Sequence, residues 1–150
     1  MLIIRIAQLL SGLSFLRGRL NQSLQNGPRA AEHYDAALMH DPLNYGAIEM
    51  LGTFHLLTPS QETQLVARIV QRCKSLSIPG GDVIGALYTT QLSKFITTPD
   101  LSAAFAALES HGLRDDLDVR ASYAESLFYR HALRDALTHT SWYALHPLFR

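Results

Sequence analysis

Turn-forming residues interrupt this chain at an interval that recurs in the thirties. Pro42 to Pro79 is one such unit, Pro79 to Gly112 is another, and the last closes at Pro147. Between the breaks, apolar residues keep helical spacing, and no alternating pattern persists for more than a few residues. Short helices joined by short loops lie antiparallel, and a hairpin that recurs at a fixed period buries its apolar face against its neighbour. The spacing therefore predicts an all-α chain, a single domain of hairpin units at about 9–42, 43–79, 80–113 and 114–147.

Local signals place eight helices. Ser23 to Pro28 ends the first, with Pro28 suited to the opening turn of the second. The second carries Ala30, Ala31, Tyr34, Ala37 and Leu38 on one face and stops near Asp41-Pro42. The third shows Ala47, Ile48, Leu51 and His55. Thr58, Pro59 and Gln61 read as a capping box for the fourth, whose inner stripe is Leu65, Val66, Ile69, Val70 and Cys73. Ile78 to Asp82 is the strongest break, and a fifth helix follows with Val83, Ile84, Leu87, Tyr88 and Phe95. Thr98-Pro99-Asp100 opens a sixth with Leu101, Ala104, Phe105 and Leu108, stopped at His111-Gly112. Asp116 caps a seventh bearing Val119, Tyr123 and Leu127, and the eighth carries Ala136, Leu137, Thr140 and Tyr143.

Around the second helix these residues carry a family likeness. Ala30, Tyr34, Ala37 and Pro42, then Asp41, Asn44, Ile48, Leu51 and Gly52, resemble the tetratricopeptide repeat. In that pattern small residues let paired helices approach, an aromatic fills the gap to the next hairpin, and proline ends the helix so that the chain can reverse. The likeness covers residues 12 to 57 closely and weakens beyond them. It implies a right-handed superhelix of hairpins with a concave groove. Ligands of the family meet the first helix of each hairpin. By position this nominates Phe15, Arg19 and Gln22, then Glu49 and Thr53, then Glu125 and Phe128 as partner-binding residues. The subset that grips C-terminal carboxylates needs a lysine and asparagine clamp. Here Phe15, Arg19 and Met50 stand at those places, so a partner segment with both charges and apolar anchors is expected instead.

Charge narrows the partners. Thirteen basic and thirteen acidic residues cancel, which argues against a nucleic-acid partner gripped through its phosphates. Residues 1 to 31 nevertheless hold Arg5, Arg17, Arg19 and Arg29 and no acid. Leu9, Leu10, Leu13, Leu16, Leu20 and Leu24 run at helical spacing through this segment, and the expectation is a first core helix. A basic, acid-free, amphipathic segment at 1–16 also suits a membrane surface or a transit peptide. The expected setting is cytoplasmic, with membrane association as the alternative.

Catalytic and cofactor signatures are missing. The seven histidines (His33, His40, His55, His111, His131, His139 and His146) include no pair four apart, and no HExxH occurs. The single cysteine, Cys73, lies on an apolar stripe and reads as a buried small residue. Asp115, Asp116 and Asp118 sit at a helix start, where they favour the macrodipole. Gly80-Gly81 lacks the lysine of a phosphate loop. No catalytic, metal or cofactor residue is assigned.

Trp142, Tyr143 and Phe149 gather near the last residues. They are expected either to seal the final hairpin or, in the favoured reading, to dock on another subunit as a homo-oligomer contact. The functional expectation is a non-catalytic scaffold or adaptor that holds a protein or peptide in its groove. The alternative is a membrane-surface or cell-envelope assembly factor anchored by the N-terminal helix.

Overall fold

The computed structural model describes residues 2–92 and 99–145. Among them are eight α-helices and no strand: α1 (Leu2–Ser23), α2 (Gly27–His40), α3 (Tyr45–Thr53), α4 (Pro59–Ser75), α5 (Gly81–Leu92), α6 (Pro99–Ser110), α7 (Leu117–Tyr129) and α8 (Leu133–Leu145). Phe95 and Thr98 fall outside the described residues. The chain is an all-α superhelical repeat.

The helix starts follow the local signals. Asn26 and Asn44 accept from the backbone of Arg29 and Ala47. The Thr58 amide donates to Gln61 Oε1 at 2.8 Å while the Gln61 amide donates to Thr58 Oγ1 at 3.4 Å, completing the box. Asp116 accepts from the amides of Asp118 and Val119 at 3.0 and 3.2 Å.

The ends repeat one another more closely than the starts. After α1, α3, α4, α6 and α7 a residue turns left-handed: Gln25, His55, Ser77, Gly112 and His131, with φ of 58°, 49°, 54°, 78° and 60°. The next amide then reaches back five residues. Asn26 donates to the Asn21 carbonyl, Leu56 to Leu51, Ile78 to Cys73, Leu113 to Leu108 and Ala132 to Leu127, all within 2.9–3.2 Å. This closure satisfies carbonyls that a helix end otherwise leaves bare. His55 thus belongs to the turn, beyond the C-cap Phe54, rather than to the apolar face of the third helix.

The helices stack in two layers. The first helices of the hairpins make one layer: α3 meets α5, and α5 meets α7. The second helices begin the other, with α2 against α4. There Arg68 donates to both carboxylate oxygens of Asp35 at 2.9 Å, and Arg72 Nε donates to the Met39 carbonyl at 3.0 Å. The Arg68 pair is exposed, so it sets register more than it stabilises.

Packing follows small residues. A Cβ on Gly18 would lie 2.5 Å from the Tyr34 ring, and one on Gly52 would lie 2.7 Å from the Gln91 carbonyl oxygen of α5. Tyr34, fully buried, fills the space opened beside Gly18 and packs on Phe15 with ring centroids 5.7 Å apart. Ala30, Ala37, Leu38, Ala47, Ile48, Leu51, Leu65, Ile69, Cys73, Tyr88 and Leu92 complete a continuous core across α2 to α5. A full burial of each leucine or isoleucine there contributes about 1.5–3 kcal/mol. The Tyr88 phenol donates to the Pro42 carbonyl at 2.8 Å, tying α5 to the turn between α2 and α3.

Two helix faces depart from expectation. Leu9, Leu13, Leu16, Leu20 and Leu24 of the N-terminal segment are 51–69% exposed, and Leu10 is 40% exposed. The buried side of α1 is Ser11 and Gly18, with Ala7, Phe15 and Gln22 half-buried beside them. Close approach to α2 selects small residues, so the leucines face the other way. Among the described side chains of the stripe expected in α8, Ala136 is buried, whereas Leu137 is 69% exposed and Thr140 is exposed. The reason is the same: the alanine meets α7, and the bulkier residues lie outside the contact.

Candidate functional site: the inner face

The first helices carry the nominated residues. On α1, Phe15, Arg19 and Gln22 lie at i, i+4 and i+7, and on α3 Tyr45, Glu49 and Thr53 lie at successive i+4 places. Phe15 is half-buried, its ring 3.4 Å from where a Gly46 Cβ would stand at the start of α3. It therefore joins the two helices as much as it faces solvent. Gln22 accepts a hydrogen bond from the Tyr34 phenol. Arg19, Glu49 and Thr53 are exposed.

Tyr45, not among the nominated residues, is exposed at the start of α3. Its phenol pKa is raised by burial and then by the carboxylates of Asp118, Glu49 and Asp116. Glu49 is its own helix neighbour. Asp116 and Asp118 start α7, two hairpins later, and α5 lies between, packed on both α3 and α7. Gln91 of α5 donates to the buried Ser122 of α7 at 2.8 Å, which fixes α7 in this position. Three carboxylates that bear on one partly exposed tyrosine give this face an acidic mouth, a charge pattern that suits a cation able to pair with carboxylates and lie over a ring. An acidic helix start reads in sequence as dipole compensation, and nothing in the spacing links it to Tyr45.

Glu125 and Phe128 stand elsewhere. With Ala121, Ala124, Leu133, Ala136, Leu137 and Thr140 they line a groove between α7 and α8. Phe128 is exposed there, its ring 5.6 Å from that of Tyr129. Glu49 and Thr53 thus share α3 with Tyr45, whereas Glu125 and Phe128 line the groove against α8. Trp142 and Tyr143 fall in the last turn of α8 with side chains outside the described part, and Phe149 lies wholly outside it.

A separate cleft of about 510 Å³ opens between α6, α7 and α8. Its wall is a chain of edge-on rings, Phe105 to Tyr123 at 4.9 Å and Tyr123 to His139 at 5.0 Å. Arg114 at its rim meets Glu109 at 2.9 Å, and Arg120 lies 3.8 Å from Asp115. None of the nominated residues lines it. Among the described residues no group of three His, Cys, Asp or Glu is placed to hold a metal ion. Cys73 is buried, and burial pushes its thiol up, away from the thiolate a nucleophile needs. No helix among the described residues is long and apolar enough to cross a membrane.

Comparison with known proteins places this geometry in context. The chain is 32% identical over 132 residues to the anaphase-promoting complex subunit cut9 of Schizosaccharomyces pombe, an alignment covering 87% of this chain and 19% of that one. It is 30% identical over 100 residues to anaphase-promoting complex subunit 6 of Arabidopsis thaliana, covering 67% of this chain and 17% of the relative. The subunit CDC16 of Saccharomyces cerevisiae is 32% identical over 112 residues, 73% of this chain and 13% of its own length. The chain thus spans less than a fifth of the length of these curated relatives. No protein-family model and no solved structure matches it.

Proposed function

We propose that this chain, a helical repeat protein of the tetratricopeptide type, works as a non-catalytic scaffold that holds a protein segment along its inner face. What supports this reading is the layer of first helices, in which α5 packs on both α3 and α7, together with the carboxylates of Glu49, Asp116 and Asp118 that bear on the Tyr45 phenol. A layer built that way offers a preformed surface, taken here as the concave one, and such a surface binds without the ordering cost of induced folding. The partner segment brings a basic side chain to Glu49, Asp116 and Asp118, and an apolar anchor to the exposed part of Phe15 beside Arg19. Relatives named as subunits of an anaphase-promoting complex support a partner that is itself part of a multi-protein assembly.

The test is co-purification with identification of the proteins retained. Glu49→Lys reverses a charge at the mouth, while Glu32→Lys makes the same change at an exposed place on α2. Partners lost with the first variant and kept with the second support the reading. An unchanged set with Glu49→Lys contradicts it. The alternative, attachment to a membrane surface through residues 1–16, has the outward leucines of α1 and the flanking arginines in its favour. Sedimentation with anionic vesicles, lost in Leu13→Glu, is its signature.

A further inference from the structure

Two side-chain contacts set α1 and α3 side by side and in register. Asn44, the cap of α3, donates to Ser11 at 2.8 Å, and the Phe15 ring lies 3.4 Å from where a Gly46 Cβ would stand. The residue numbers rise together, so the two helices run parallel. One turn further on, Arg19 comes level with Glu49 and Met50.

Rotation about each helix places both charges on the open side. On α3, Gly46 turns toward Phe15 and Gly52 toward the Gln91 carbonyl of α5. Successive residues turn by about 100°, which sets Glu49 midway, roughly 60° from either glycine. On α1 the same count puts Arg19 about 40° from Phe15, between the contact with α3 and the leucine face. Both side chains are exposed, and neither forms a salt bridge among the described residues. α1 holds no acid and α3 no base, so the neighbouring helices offer opposite charges. Further along the layer the sign stays negative, where Asp116 and Asp118 of the α7 start bear on the Tyr45 phenol.

We infer that the inner face selects a charge order in its partner, an acidic side chain pairing with Arg19 and a basic one with Glu49. Packed helices lie about 8–10 Å apart, a distance that an extended segment covers in about three residues. The occupant is an extended protein segment with an acid and a base at that separation, crossing the helices with its acidic residue over α1. The opposite order sets like charges together at both places. Arginine suits its role, since a planar guanidinium takes a carboxylate through two parallel bonds. This charge order rests on the reading that the inner face holds a protein segment, and sets how that segment lies.

Selection of a displayed library of short random peptides on the full chain tests it, with fluorescence anisotropy of an enriched peptide. Enriched sequences are expected to carry an acid and a base about three places apart. Reversing either charge, Arg19→Glu or Glu49→Arg, should weaken such a peptide by about tenfold or more. The double reversal should recover binding once the acid and base of the peptide are exchanged. Both positions are exposed; Arg19→Gln and Glu49→Gln replace any variant whose circular dichroism shows lost helix. Binding weakened by Glu49→Arg but not by Arg19→Glu overturns the charge order and leaves the inner-face reading standing. So do enriched peptides that lack an acid, or a double variant that still prefers the original peptide. Binding that Glu49→Arg leaves unchanged, or no enrichment at all, overturns the reading together with the order.

Discussion

Asn44 donates from its side-chain amide to Ser11 Oγ at 2.8 Å, across 33 positions of sequence. Ser11 in turn donates to the Ala37 carbonyl at 2.8 Å and is 1% exposed. One hydroxyl thereby joins α1, α2 and the cap of α3, since Asn44 also accepts from the Ala47 amide. Ser11→Ala leaves the Asn44 amide half-buried without this acceptor. The Ala37 carbonyl keeps its bond from Asp41. A loss of about 1–2 kcal/mol follows, measured as a lower urea midpoint with unchanged slope.

Gly52 and Gly12 respond oppositely to alanine. At Gly52 the new methyl would lie 2.7 Å from the Gln91 backbone carbonyl, which cannot rotate away. Overpacking of that kind costs roughly 1–3 kcal/mol. At Gly12 the helix gains propensity and meets no obstacle, so Gly12→Ala stabilises by about 0.5–1 kcal/mol. Urea unfolding at dilute concentration reads both.

The turn after α4 holds Ser77 at φ 54°, a conformation that side chains resist. Ser77→Gly keeps the bond from Ile78 to Cys73 and relieves the steric conflict. It should raise stability by roughly 1 kcal/mol, seen as a higher melting temperature. A lower one would show that the turn is held by the serine side chain.

Alkaline pH should unfold the protein progressively. Burial raises the Tyr34, Tyr45 and Tyr88 phenols above 10.0 and the Cys73 thiol above 9.0, with Tyr88 moved furthest. The unfolded chain sheds these protons first, so the stability they protect is intact below the ordinary values and falls as pH climbs beyond them. Urea midpoints should be level up to about pH 9 and decline above it. Tyr88→Phe makes that decline shallower, and lowers neutral-pH stability by about 1 kcal/mol through loss of the bond to Pro42.

Much of this arrangement is legible in the residues themselves, for a definite reason. Ala30, Tyr34, Ala37 and Gly52 are constrained by contacts made on both sides, and their spacing records those contacts. The capping box at Thr58 and the Asp116 cap are local hydrogen bonds that need only a few neighbouring residues. The orientation of α1 is different in kind. Helical periodicity reveals that leucines share a face, but not whether a neighbour stands there. Where helices approach closely, the buried face is Ser11 and Gly18, which by hydropathy resembles a surface. The link between Tyr45 and Asp118 is hidden for another reason, since the two residues belong to different hairpins and no local spacing relates them.

That link is most directly tested by titrating Tyr45 itself. In protein labelled with carbon-13 at the tyrosine Cζ, Tyr45 is assigned by its absence in Tyr45→Phe, and its phenol should ionise above the ordinary 10.0. Asp118→Asn removes the first-named of the carboxylates that oppose this ionisation, and should bring the Tyr45 midpoint down while leaving that of Tyr34 in place. A Tyr45 that titrates at the ordinary value, or that is indifferent to Asp118→Asn, would contradict the electrostatic link between the starts of α3 and α7 on which the proposed inner face rests.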